Sequence, residues 1–317
     1  MARKNATETL PANAEGIAKA AEMLRNGQIV ALPTETVYGL AARADSDAAV
    51  ARIYRAKGRP SFNPLIVHVG SLDQARTIAR FSEEAENLAR RFWPGPLTIV
   101  LPTLAGSRLA AAVTARLPTV ALRHPAHPVM QALLAATGLP LAAPSANRSG
   151  DVSPTDPAHV VRSLGQAAGL VLDAGPCGQG LESTIVALRE NGSWQLLRPG
   201  PISEAAISQE LRCAASAGSS TIEAPGQLTS HYSPGKPVRL NAKTAERDEF
   251  FIGFGNIGGD TTLSQDGNLV IAASRLYRTL HEAAASPKPR VAVAPVPAGG
   301  IGAAINDRLQ RAAAGRD

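Results

Sequence analysis

The sequence predicts an α/β protein, with a twisted mixed sheet in a large first domain and a smaller Rossmann-like α/β unit after it. Three observations carry this. Short apolar runs alternate with segments of helical period. Several strand-like runs follow one another directly, which favours a mixed sheet over a purely doubly wound one. Hydrophobic residues make up 44% of the 317 and charged residues only 18%, enough apolar material for a sizeable core and too few charges for a disordered chain.

Residues 13–26 read as a helix, because Ile17, Ala20, Ala21 and Leu24 share one face and Gly27 can end it. Residues 28–32 form a short apolar strand. Residues 47–57 form a second helix with Val50, Ile53 and Tyr54 inward, and Gly58 is its natural stop. A strand over 65–69 precedes a helix over 82–93, capped by Ser82 and carrying Glu83 and Glu84 in its first turn. Strands follow at 97–101 and 119–122, then a helix over 129–137 closed by Gly138. Strands at 139–143, 170–173, 183–188 and 195–197 and a helix over 203–215 complete the unit.

The composition then shifts. Residues 214–237 are rich in Ser, Gly, Thr and Pro and lack an amphipathic period, so they read as a linker. Beyond them a strand at 250–254, a helix over 269–285, a strand at 290–294 and a helix over 303–313 make the second unit. The expected division is a first domain over 13–212, a linker over 213–245, and a small domain over 246–317.

Bulk properties exclude several classes. Cys177 and Cys213 are distant and have no CxxC spacing, which argues against a disulfide framework or a structural zinc site. The first eleven residues are polar without an apolar h-region, and no run of about 18 apolar residues occurs, so the expectation is a cytoplasmic protein with no signal peptide and no membrane contact. The net charge of +6 suits polyphosphate substrates or transient RNA contact, although arginine outnumbers lysine 26 to 6 without any basic block. Aromatics at 4% are too few for a base-stacking platform.

Four strings carry chemistry. In Leu32-Pro-Thr-Glu-Thr-Val-Tyr-Gly-Leu40 the hydroxyls of Thr34, Thr36 and Tyr38 sit in a turn after a strand, suited to a polar, amino-acid-like ligand; a Pro-Thr turn with a capping Glu35 is the plainer alternative. In Ala56-Lys-Gly-Arg-Pro-Ser-Phe-Asn-Pro64, Lys57 and Arg59 are spaced to converge on one anion such as a triphosphate, beside the alternative of cations at a helix C-terminus. His68 follows inside an apolar strand, where a lone histidine reads first as a core residue. Arg123 ends the apolar strand of Thr119-Val-Ala-Leu-Arg-His-Pro125 and suits an anionic partner, a carboxylate held bidentately. In Leu141-Ala-Ala-Pro-Ser-Ala-Asn-Arg-Ser-Gly150, small residues let a ligand approach the backbone, and Ser145 and Asn147 can donate to phosphate or ribose oxygens; an ordinary polar turn is the alternative. Glu182-Ser183-Thr184 and Leu197-Arg-Pro-Gly200 add polar groups at strand ends. There is no P-loop, and Gly253-Phe-Gly-Asn-Ile-Gly258 lacks a following helix and reads as a glycine turn. No carboxylate cluster predicts a metal cage, so any Mg²⁺ is expected on nucleotide phosphates.

Taken in order, PTETVYGLA, AKGRP, NPLIVHV, WPGPLTIVL, PTVALRHP, PSANRSG, ESTIV and LRPG resemble the YrdC-type threonylcarbamoyl-AMP synthases across roughly residues 14–211. The string 225–234, containing His231 and Tyr232, and the second unit are similar to the longer, two-domain form. The resemblance implies a concave pocket that makes L-threonylcarbamoyladenylate from L-threonine, bicarbonate and ATP with release of pyrophosphate. The product would pass to a tRNA-modifying complex, with any tRNA contact indirect. Residue by residue it implies threonine contacts at Thr36, His68, Arg123, Ala143 and Ser183. Nucleotide contacts would be Arg59, Asn63, Thr119, Ser145, Asn147, Ser153, Arg198 and Tyr232, with Lys57 and Arg59 in the catalytic role. A non-catalytic RNA-binding protein and a carbamoyl-transfer module of the hydrogenase-maturation type are the rival readings; the scarce aromatics count against the first and the cysteine content against the second.

Overall fold

The computed structural model describes residues 7–216, 222–228 and 231–315. Residues 1–6 of the expected polar N-terminus, and 217–221 and 229–230 of the expected linker, lie outside the described residues.

The first domain begins with an edge strand, β1 (Glu8–Pro11), and a helix, α1 (Ala14–Arg25). Asn13 caps α1 by accepting from the Gly16 amide, and Ala20, Ala21 and Leu24 are its buried face. Then come β2 (Val30–Leu32), β3 (Gly39–Arg43), α2 (Asp47–Lys57) and β4 (Ile66–His68). Gly58 ends α2 in the left-handed conformation, and Val50 and Ile53 face inward as expected. Two helices, α3 (Leu72–Arg76) and α4 (Glu83–Phe92), lead to β5 (Leu97–Pro102) and β6 (Thr119–Arg123). After α5 (Pro128–Thr137), β7 (Leu141–Ala142) and α6 (Pro157–Leu164), the domain closes with β8 (Leu170–Asp173), β9 (Thr184–Leu188), β10 (Trp194–Arg198) and α7 (Glu204–Leu211).

These ten strands form one mixed sheet in the order β1-β8-β2-β3-β7-β4-β6-β5-β9-β10. β3 departs from the sequence reading, which left Gly39–Arg43 as part of a turn. The chain reverses after Leu32, and β3 runs back antiparallel to β2, with Leu32 opposite Gly39 and Val30 opposite Ala41. Its Gly-Leu-Ala-Ala run has weak strand propensity, and burial between neighbours decides it instead. β1 is similarly invisible in its residues and exists because it pairs in parallel with β8.

The second domain holds β11 (Val238–Arg239), β12 (Glu249–Gly253), β13 (Thr261–Thr262), α8 (Leu269–Ala285), β14 (Arg290–Val293) and α9 (Gly302–Ala313). Its sheet order is β11-β14-β12-β13, parallel throughout, consistent with the expected Rossmann-like character. The glycines after β12 form a turn into β13, as read from the sequence.

The described part of the connecting segment is no loose tether. Tyr232 is fully buried, and Ser233 makes a parallel bridge to Asp151. Val37, Val152 and Leu181 of the first domain share an apolar core with Leu276, Tyr277 and Leu280 of α8. Gly180 makes this docking possible: a Cβ there would lie 2.3 Å from the Ser274 carbonyl oxygen, and its φ of +67° is itself glycine territory.

Candidate active site

A single pocket collects polar groups from across the first sheet and the connecting segment. His68, Arg123 and Arg198 end β4, β6 and β10. Thr34, Thr36 and Val37 come from the turn between β2 and β3, Ala143 to Ser145 follow β7, and Glu182 and Ser183 precede β9. Arg59 reaches in from beyond α2, and Pro225, Gly226, His231 and Tyr232 close the pocket from the connecting segment.

On one side, Thr34 organises its own turn. Its Oγ1 donates to the Val37 carbonyl (2.7 Å) and accepts from the Thr36 and Val37 amides (3.2 and 3.1 Å). Thr36 Oγ1 in turn accepts from Arg123 Nη1 at 3.0 Å. Arg123 has the anionic partner that its place in an apolar strand demanded: Nη2 lies 2.6 Å from Glu35 Oε1, in a buried pair. Burial would raise the Glu35 carboxyl, but the Arg123 guanidinium outweighs it and holds the carboxyl below its usual range. Glu35 is therefore the ion-pair partner of Arg123, and the backbone amides of Glu35 and Ala126 also favour its ionised form. His68 is pushed down to about 3, by burial and then by Arg123, so its imidazole is neutral at physiological pH. Tyr38, grouped with the ligand-facing hydroxyls at first, turns away: it is buried and its hydroxyl donates to the Gly175 carbonyl at 2.7 Å.

The other side is dominated by cations. Arg59 Nη2 donates to Asn63 Oδ1 (2.6 Å) and the Pro64 carbonyl (2.8 Å). Burial brings its guanidinium down to about 10, with Arg198 adding repulsion. Arg198 clasps Ser183, with Nη2 donating to the carbonyl at 2.9 Å and to Oγ at 3.1 Å. Ser183 Oγ also lies 2.7 Å from Thr98 Oγ1. Lys57 does not converge with Arg59 on the pocket as its spacing suggested. Its ammonium donates to the carbonyls of Ser145 (2.6 Å) and Asn147 (2.5 Å), behind the loop that forms the pocket wall. Burial, with Arg59 nearby, pulls its pKa well below the usual lysine range. Asn147 Nδ2 holds the same loop through the Arg148 and Asp151 carbonyls.

All five residues expected on the threonine side line this pocket, as do Arg59, Ser145, Arg198 and Tyr232 from the nucleotide set. Asn63, Thr119, Asn147 and Ser153 lie outside the lining, and three of them act on its walls: Asn63 accepts from Arg59, Asn147 holds the loop as above, and Ser153 donates to Glu182 Oε1 at 2.6 Å. Thr119 opens β6, and its buried Oγ1 has no hydrogen-bond partner among the described residues. Sequence reasoning missed the contribution of the second domain. Tyr277 and Arg308 both bond to Glu182, and the signal for Arg308 was present: it stands with Ala304, Ile305 and Leu309 on the apolar face of α9.

Three buried atoms on this pocket, His68 Nδ1, His231 Nδ1 and Tyr232 Oη, have no hydrogen-bond partner among the described residues. Such groups cost on the order of 1–3 kcal/mol each, and they gather where a ligand would satisfy them. Among the same residues no three His, Cys, Asp or Glu side chains are grouped to hold a metal ion. None of the helices is long and apolar enough to cross a membrane.

Comparison with known proteins yields a consistent set. A family profile described as "Telomere recombination" matches residues 22–200, and one described as "Threonylcarbamoyl-AMP synthase, C-terminal domain" matches residues 202–314. The threonylcarbamoyl-AMP synthase of Bacillus subtilis is 39% identical, over 98% of this chain and 96% of its own. That of Pyrococcus abyssi is 38% identical over 92% of each. The crystal structure of P. abyssi Sua5 complexed with L-threonine superposes with a TM-score of 0.88 at 34% identity, covering 97% of both chains.

Proposed function

This chain belongs to the threonylcarbamoyl-AMP synthase family, and on that premise we propose that it joins L-threonine, bicarbonate and ATP into L-threonylcarbamoyladenylate, releasing pyrophosphate. The observation that carries this is one pocket with two chemical halves. One set (Thr36, His68, Arg123, Ala143 and Ser183) shares the lining with a cationic set led by Arg59 and Arg198, and His68, His231 and Tyr232 on the same lining each carry a buried polar atom without a hydrogen-bond partner among the described residues.

In this reading the threonine ammonium gives up one proton, and the resulting amine bonds to the bicarbonate carbon as water leaves. A carbamate oxygen then attacks the α-phosphorus, and the bond to pyrophosphate breaks. No side chain needs to become covalently attached; positioning and charge stabilisation suffice. Arg123 and Thr36 take the threonine carboxylate side, and neutral His68 offers a hydrogen bond without adding charge. Arg59, Arg198, Ser145 and Tyr232 meet the nucleotide directly. Asn63, Asn147 and Ser153 complete its environment by shaping those groups, and the unpartnered Thr119 hydroxyl is left for the nucleotide. Arg59 is the catalytic cation nearest the phosphates, and Lys57 acts by clamping the Ser145–Asn147 wall and adding positive field behind it. Burial depresses Lys57, Arg59 and Arg198 together, so an arriving polyphosphate relieves their mutual repulsion. Mg²⁺ travels on the ATP phosphates and there offsets their charge.

We further propose a catalytic domain at 13–212, a linker and lid at 213–245 and a small domain at 246–317, with β11 (Val238–Arg239) of the linker stretch adding an edge strand to the small domain's sheet, in a cytoplasmic protein whose product serves threonylcarbamoyladenosine formation on tRNA. His231 and Tyr232 on the pocket support the lid assignment, since a closed site protects a carbamate and an acyl adenylate from water. The test is pyrophosphate release from ATP. It should require threonine and bicarbonate together; release indifferent to threonine would defeat the proposal.

A further inference from the structure

Glu182 lines the pocket, yet most of what holds it comes from the other domain. Its Oε1 accepts from Ser153 Oγ at 2.6 Å, while Oε2 accepts from Tyr277 Oη at 2.6 Å and Arg308 Nε at 3.1 Å. Burial works to raise this carboxyl, but Arg308, Arg198 and the two hydroxyls hold it down at about 2, so it stays ionised. Arg308 is itself fully buried; Nη2 donates to the Pro199 carbonyl at 3.0 Å, and the guanidinium lies 5.4 Å from the Tyr232 ring centroid. Tyr277 stacks on the opposite partner of that contact, with its ring 5.4 Å from Tyr232 at 27°.

We propose that the second domain sets the nucleotide side of the active site through Glu182, with Tyr277 and Arg308 as positioning residues. Three of the proposed nucleotide groups are reached by this network: Ser153 through Glu182, Tyr232 through its contacts with Tyr277 and Arg308, and Arg198 through its neighbour Pro199. Docking alone does not require the network, because Val37, Val152 and Leu181 already supply an apolar interface. A buried ion pair is a weak source of stability compared with apolar residues of similar volume, which leaves geometry as its contribution here. On the threonine side, Thr36 and Arg123 are held by one another and by Glu35, not by Tyr277 or Arg308, whereas Ser183 borders the network as the chain neighbour of Glu182 and as an acceptor from Arg198.

The inference rests on the nucleotide assignment of this side of the pocket, and the experiment separates the two. Pyrophosphate release by the full-length chain is measured with ATP and threonine varied independently, for Tyr277→Phe, Arg308→Lys and Ser153→Ala. Tyr277→Phe removes one donor and keeps the ring. It should raise the KM for ATP about tenfold while the KM for threonine moves less than about twofold. Arg308→Lys should show the same selectivity. Combining Tyr277→Phe with Ser153→Ala should cost little beyond the worse single change, since both act on one carboxylate. An equal rise in both KM values, or a lower melting temperature with an unaltered KM for ATP, overturns the inference. Unaltered ATP kinetics in Ser153→Ala remove the nucleotide assignment of Ser153 and the inference with it. A raised KM for ATP in Ser153→Ala alone refutes the inference and leaves the assignment standing.

Discussion

Replacing Lys57 by methionine keeps the length and apolar stem of the side chain and removes only the ammonium. That ammonium holds the carbonyls of Ser145 and Asn147 from behind the pocket wall. Two buried acceptors losing their donor at roughly 1–3 kcal/mol each put the gross loss at about 2–6 kcal/mol. Part is returned, because burying the charge was itself unfavourable, as the depressed pKa of Lys57 shows. A net loosening of about 2 kcal/mol corresponds to roughly a 30-fold smaller population of the ordered wall. Pyrophosphate release should therefore fall about 30-fold or more, with a raised KM for ATP and a lower urea midpoint. A direct electrostatic role would look different: kcat alone would fall about 10²-fold or more and stability would hold. Near-normal turnover together with an unchanged urea midpoint would refute both the clamp and the catalytic assignment.

Tyr232→Phe removes a buried hydroxyl that lacks a partner, so the free protein should gain about 1 kcal/mol in urea unfolding while the KM for ATP rises about tenfold. Gly226→Ala would place a Cβ 2.8 Å from Arg198 Cδ and 3.1 Å from Tyr232 Oη, at a φ of +86°; activity should drop at least about tenfold in initial-rate assays, with melting temperature the control. His68 and His231, both held near 3, and His159, held near 4, are neutral in the fold but charge near 6.5 once unfolded. The unfolded chain thus binds more protons over this window. Stability is fully present above about pH 6.5 and is lost as the pH falls towards 4, by up to about 1.4 kcal/mol per pH unit for each group. Denaturation midpoints at pH 7 and pH 5 test this, and His159→Phe should flatten the difference.

The residues expected on the threonine side all line one pocket, and the polar ones were legible because they sit at strand ends in short contiguous strings, where a polar side chain in an apolar run needs a reason. Arg123 is the clear instance; its demand for an anion was correct, and only the identity of Glu35 was hidden. Of the residues expected on the nucleotide side, Arg59, Ser145, Arg198 and Tyr232 line the pocket, while Asn63, Thr119, Asn147 and Ser153 do not. Lys57 and Arg59 are two residues apart, and sequence spacing does not reveal that one side chain turns to the loop behind while the other turns inward. The strands β1 and β3 were missed because short, alanine-rich or polar runs become strands only through partners far away in the chain. The Glu182 network escaped for the same reason: its donors are 95 and 126 residues downstream, and each alone reads as one odd polar residue on an apolar helix face.

That separation has a consequence in time. At a synthesis rate of about 5–20 residues per second, Arg308 is made roughly 6–25 seconds after Glu182. During that interval the first sheet can already be assembled, since β10 ends at Arg198, yet one wall of its pocket carries a carboxylate without the guanidinium and phenol that fix it. A chain at this stage would hold all ten strands of the sheet before the two donors that fix Glu182. Competence to bind nucleotide in the right pose would arrive as a late, single event, when α8 and α9 dock, and not gradually as the catalytic sheet grows.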